Sequence, residues 1–181
     1  MQHPSAQSMP FPALRRRSRL ALVLSALFIA GCDYPIASQD DVDVCALVHD
    51  TVSAAFNEPL TAASNPNACV LTTTSDSPTW WNIQVTILTD ASTGYSGGMK
   101  NVLPAAMAEA GQNSGAPGLD RFAGLPDVSV AFGTSPEHLR QVIVAERGVM
   151  MELSLTGQIT VGQDEMAALT RDLWTRVTSY K

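Results

Sequence analysis

Apolar and polar residues alternate without a break from Trp81 to Leu88. Trp81, Ile83, Val85 and Ile87 point one way, and Asn82, Gln84 and Thr86 the other. A period of two predicts a strand with one buried face. Cys69 to Thr74 predicts a second strand, paired with the first across a turn at Ser75 to Thr79. Val128 to Gly133 predicts a third, with Val128, Val130 and Phe132 on one face. Leu139 to Ala145 and Val149 to Thr156 predict a hairpin about Glu146-Arg147-Gly148, in which Met151, Leu153 and Leu155 alternate with polar neighbours and Met150.

Elsewhere the period is helical. Val48, Val52, Ala55 and Phe56 make one stripe in Cys45 to Asn57, with Asp50 as a candidate cap and Pro59 as the stop. Val102, Leu103, Met107 and Ala110 predict a helix within Met99 to Ala110, ended by Gly111. Met166, Leu169, Leu173 and Val177, flanked by Trp174, predict a last helix reaching Ser179. Thr160 followed three residues later by Gln163 fits a capping box at its start. Leu60 to Ala68 reads as a polar loop turning at Asn65-Pro66-Asn67, Ala91 to Gly98 as a turn, and Gln112 to Gly118 as a Gly-rich loop.

The order is helix, two strands, helix, three strands, helix. It predicts an α+β fold: an antiparallel sheet of about five strands with helices packed on one face. The two halves share this order loosely, without a sequence repeat. No Gly-rich loop joins a strand to a helix, which argues against a nucleotide-binding α/β fold.

A different pattern precedes all of this. Arg15, Arg16, Arg17 and Arg19 lead into an unbroken apolar run from Leu20 to Ala30. Such a run is well short of the roughly 20 residues that cross a bilayer. A basic flank, a short apolar run and small residues at its end make an export signal. Arg16-Arg17 resembles the opening of a twin-arginine signal, although Ser18, Arg19 and Leu20 depart from it. Met9 is an alternative start, since residues 1–8 add nothing to the signal. Ile29-Ala30-Gly31-Cys32 resembles the lipobox of bacterial lipoproteins: an aliphatic residue, two small residues and a cysteine. The resemblance implies cleavage between Gly31 and Cys32, a lipid on Cys32, and attachment to the cell membrane facing the periplasm or exterior. Asp33 resembles the inner-membrane retention signal of enterobacterial lipoproteins. The expected organisation is a signal peptide at 1–31, an acidic tether at 32–43 carrying Asp40, Asp41 and Asp43, and one α+β domain at 44–181.

Removing residues 1–31 leaves 150 of the 181, enough for one domain with a real core. The four signal arginines go with them. Seven Lys and Arg then face 17 Asp and Glu, a formal charge near −10. That balance argues against nucleic acid and anionic headgroups as partners. With Cys32 lipidated, Cys45 and Cys69 are an even pair, and in an oxidising envelope the expectation is a disulfide. A metal site would have only His49 and His138 as further partners. A redox pair usually spaces its cysteines by two residues, whereas twenty-three separate these.

The chemistry-bearing residues are sparse. No catalytic constellation, metal-ligand spacing or phosphate loop is present, so no enzyme activity, cofactor or metal is predicted. Trp80 and Trp81 are adjacent, so one ring enters the core and the other faces out. Trp80 is thus the candidate ligand-binding residue, with the Ser92–Gly98 loop as its expected neighbour. A hydrolase would require serine, histidine and acid to converge, and only His49 and His138 are available; His138 follows Ser135-Pro136-Glu137 in a polar turn without the setting of a nucleophile elbow.

By pattern, Cys45 to Tyr180 resembles a family of small actinobacterial lipoproteins of unknown function. The resemblance rests on Cys45-Ala46-Leu47-Val48 opening a helix, Cys69 opening a strand, the turn Gly124-Leu125-Pro126-Asp127, a hairpin and a C-terminal helix. Leu71 stands where that family often has tryptophan. The resemblance implies no catalytic residues. The expectation is a lipid-anchored, non-enzymatic envelope protein that binds another envelope component through its sheet or loops. A small-ligand or cell-wall-fragment binding domain is the alternative.

Overall fold

Asp43 begins the first helix. Its carboxylate accepts the Ala46 N–H at 3.0 Å, which satisfies a donor left over at the start of α1 (Val44–Phe56). Asp50, the cap predicted from sequence, lies inside α1 and is exposed. Asn57 ends the helix in the left-handed conformation (φ 51°), where asparagine is tolerated. In the computed structural model the described residues are 34–39, 41–93, 103–108, 125–126, 128–135 and 137–180. The predicted signal, Cys32, the Gln112–Gly118 loop and parts of the turns at Ala91–Gly98 and Gly124–Asp127 lie outside them.

Six strands form one antiparallel sheet: β1 (Leu60–Asn65), β2 (Ala68–Thr73), β3 (Trp81–Thr89), β4 (Val128–Ser135), β5 (His138–Glu146) and β6 (Val149–Gly157). Their order is β1-β2-β3-β6-β5-β4. Two three-stranded meanders therefore meet through β3 and β6, which pair along their whole length from Trp81–Gly157 to Thr89–Val149. The sixth strand is β1, at the position expected to be a polar loop. It is an edge strand exposed at every position after Leu60, so no apolar alternation marks it.

The main core lies between one sheet face and the helices α1 and α4 (Gln163–Ser179). Ile83, Val85, Ile87, Met151, Leu153 and Leu155 meet Val48 and Val52 from α1 and Met166, Leu169, Leu173 and Val177 from α4. The predicted α4 stripe is thus buried, whereas of the α1 stripe Val48 and Val52 are buried, Phe56 is half-buried and Ala55 is exposed. Cys45 and Cys69 join as a disulfide, Cα–Cα 4.9 Å, tying the first turn of α1 to β2. The helix α4 starts two residues later than its expected cap. Gly162 is the N-cap, and the Glu165 carboxylate accepts its N–H at 3.2 Å.

The helices do not all share one face. Phe132, Ile143, Ala145 and Met150 form a second, smaller core on the reverse side, packed by Leu88 and Val130 and by Leu103, Ala106 and Met107 from the helical residues 103–108 (α3). β5 and its neighbours are apolar on both faces, and each face needs a cover.

The expected tether is part of the core. Pro35–Ser38 form a turn of 3-10 helix in which Ile36 is 0% exposed and Ala37 5%; Val42 follows at 2%. The Tyr34 hydroxyl donates to Glu146 Oε2 at 2.5 Å, and its ring stands edge-on to Trp174 at 5.9 Å. Arg147 lies over the same ring at 5.5 Å. The Thr89 hydroxyl donates to the Gln39 carbonyl. Residues 34–42 are therefore fastened to the β5–β6 turn, the end of β3 and α4.

Candidate functional site

These contacts give the sheet two distinct ends. The chain's N-terminal segment docks where β3 finishes and β6 begins, at Thr89 and Glu146–Val149. Trp80, the β2–β3 turn, the β4–β5 turn and the start of α4 lie at the other end. With about 3.4 Å of rise per residue, nine-residue strands separate the two ends by about 27 Å.

Trp80 is 55% exposed, and among the described residues no other large apolar side chain is left so open. Trp81 is 3% exposed and packs on Phe56, ring centroids 4.7 Å apart. The expected alternation of the two rings is what the structure has. The indole of Trp80 is seated by its neighbour across the sheet. Gly157 has φ +100°, and a Cβ there would come within 2.9 Å of Trp80 Cε3 and 2.5 Å of the Trp80 carbonyl oxygen. That carbonyl accepts the Gln158 N–H at 2.9 Å. Ser92, predicted to share a pocket with Trp80, follows the opposite end of β3 in α2 (Asp90–Thr93), where its side chain closes a local turn with Thr89. The strand itself holds them apart.

Beside Trp81, at the same end, lies a cleft of about 270 Å³ lined by Ala55, Phe56, Ile159, Val161, Leu169, Thr160 and Glu165. The β6–α4 connection forms one wall and the end of α1 the other. Five of the seven lining residues are apolar, and Thr160 and Glu165 bring a hydroxyl and a carboxylate. Small-molecule sites run from roughly 300 to 1,000 Å³, so this cleft suits a single inserted side chain or fragment. Glu137, Asp164 and Glu165 line an adjoining shallow depression, so the rim is acidic.

The two histidines among the described residues are both held locally. His49 Nδ1 is 3.0 Å from Asp50 Oδ1, and its Nε2 is 3.2 Å from the Leu60 carbonyl. The Asp50 hydrogen bond, then the Leu60 carbonyl, raise its pKa above the ordinary value. The histidine bridges α1 to β1. His138 Nδ1 is 3.1 Å from Ser135 Oγ across the turn of the β4–β5 hairpin, with His138 exposed and Ser135 half-buried. Sequence reasoning did not foresee this contact. The acid beside them, Glu137, is hydrogen-bonded to Ser135, which lowers its pKa. A hydrolytic triad needs the acid behind the histidine, where it orients the ring; here it sits on the serine. Among the described residues no three His, Cys, Asp or Glu side chains are grouped to hold a metal ion, and no helix is long and apolar enough to cross a membrane.

The chain matches no family model, no curated protein and no solved structure.

Proposed function

We propose that the protein is an exported lipoprotein, cleaved between Gly31 and Cys32 and acylated on Cys32, that binds another envelope component rather than catalysing a reaction. The anchor reading rests on the Arg15–Cys32 pattern. The binding reading rests on one observation above all: Trp80 stands exposed at the same end of the sheet as an acid-rimmed cleft lined by Phe56, Ile159 and Leu169, about 27 Å from the end where the N-terminal segment is fastened. Exposed tryptophans seated on rigid backbone are the usual energetic centres of interfaces. The partner is a protein presenting an apolar side chain flanked by basic groups, which the cleft and its carboxylates complement.

The test is in-cell crosslinking followed by purification in mild detergent, comparing wild type, Cys32→Ser and Trp80→Ala. One protein captured by the wild type, and lost or weakened at least tenfold in both variants, supports the reading. Equal capture by the Trp80→Ala chain would sink the binding assignment.

A second reading, a small-ligand or cell-wall-fragment site, is favoured by the cleft itself. Its signature is a soluble fragment that protects Phe56 and Leu169 resonances in the absence of any partner protein.

A further inference from the structure

Tyr34 is the second residue after Cys32, and it does not swing free. Its hydroxyl is bound to Glu146, its ring is held between Trp174 and Arg147, and Ile36 and Ala37 beyond it are sealed in the core. Two residues of chain reach at most about 7 Å. A lipid on Cys32 would therefore hold the Tyr34 end of the domain at the headgroup layer with almost no slack. A flexible linker of a dozen residues would instead let the domain roam over an r.m.s. span of about 20 Å.

From this we infer that the surface around Tyr34, Pro35, Ser38 and the Glu146–Gly148 turn is a membrane-contact face, seated on the bilayer headgroups in one orientation. The inference rests on the Cys32 anchor proposed above and deepens it. The strands then run away from the bilayer, and Trp80 and the cleft stand about 27 Å above it. Several features of that face suit the position. Pro35 and Ser38 are exposed, the turn is short, and Arg147, 3.9 Å from Glu146, keeps half of its side chain open to solvent. The overall acidity of the chain does not oppose this, because acyl chains rather than charge supply the attachment.

The experiment uses the full-length protein purified from membranes, with its acyl chains first verified by intact mass. Thiol-reactive fluorophores are placed through Ser38→Cys or Asp76→Cys, both exposed positions, the native pair Cys45–Cys69 being closed. Each labelled protein is reconstituted into phosphatidylcholine–phosphatidylglycerol vesicles carrying a headgroup nitroxide. The expected result is several-fold stronger quenching at position 38 than at position 76. Inserting ten Gly-Ser residues between Asp33 and Tyr34 should erase that difference while leaving vesicle flotation intact. Equal quenching at both positions in the acylated wild type would overturn the seated orientation and leave the anchor standing. Absence of acyl chains and of flotation would overturn the anchor, and the contact face with it.

Discussion

His49 illustrates how a single side chain couples two elements and titrates while doing so. Asp50 and the Leu60 carbonyl favour its protonated ring, so its folded pKa lies above the unfolded value. Stability from this contact is fully present below the unfolded pKa of about 6.5 and is lost as pH rises through the higher folded value. A His49→Gln variant should lag the wild type in acid and converge with it in alkali. Urea midpoints of the two chains at about pH 5.5 and about pH 8.5 check this, and the sign of the difference must not invert. Gly148 makes a backbone argument at the same scale. Its φ is +76°, and a Cβ there would lie 2.8 Å from Asp90 Oδ2 and 3.1 Å from the Ala37 Cβ. Gly148→Ala should cost about 1–3 kcal/mol, seen as a lower denaturation midpoint with an unchanged slope. It also loosens the seat of the N-terminal segment.

The element scale is where local pattern and structure diverge most, and the divergences have physical causes. β1 was hidden because both its faces meet solvent beyond Leu60, leaving Thr61 to Asn65 no apolar period to display. Residues 34–42 read as a tether because Ile36, Ala37 and Val42 lie among proline and aspartates and follow neither the helical nor the strand period. A 3-10 turn buries residues at a tighter repeat than the α-helix, so the usual template misses them. Both helix starts moved for a similar reason. A cap is chosen by backbone geometry where the chain enters the helix, and many short polar residues qualify on composition alone. The strongly periodic elements were legible: β3, the β5–β6 hairpin, and the stripes of α1 and α4. The disulfide was legible as a pairing too, and it acts on this scale by tying α1 to β2. Replacing Cys45 and Cys69 together with alanine should destabilise the domain by about 3–4 kcal/mol, the loop-entropy value for a closure of this size. Thermal unfolding of the double variant beside the oxidised wild type measures it.

Over the whole molecule, two meanders from distant parts of the chain share one sheet, and the N-terminal segment closes the core at one end of it. This makes the starting point of a folded chain predictable. A protein beginning at Tyr34 should keep wild-type stability within about 1 kcal/mol, while one beginning at Asp43 loses the burial of Ile36, Ala37 and Val42, about 4 kcal/mol together. Of a total that is normally about 5–15 kcal/mol, such a loss separates a folded domain from a marginal one. Circular dichroism melts of the two chains distinguish the cases, and equal melting temperatures would show that residues 34–42 are a tether after all. The candidate site follows the same division. Trp80 was singled out from its adjacency to Trp81, but the cleft at the same end of the sheet could not be, because Phe56, Ile159 and Leu169 come from separate parts of the chain.

By itself the sequence determined the periodic elements, the α+β class, the even cysteine pair and which of two adjacent tryptophans faces outward. These depend on neighbours within a few residues, and the spacing of apolar side chains records them directly. Only the tertiary structure decided that β3 pairs with β6, that residues 34–42 belong to the core, and that Trp80 and the N-terminal segment occupy opposite ends. Each of those outcomes depends on surfaces contributed by residues far apart in the chain. Their fit to one another is settled when the whole core closes, and no local period encodes it.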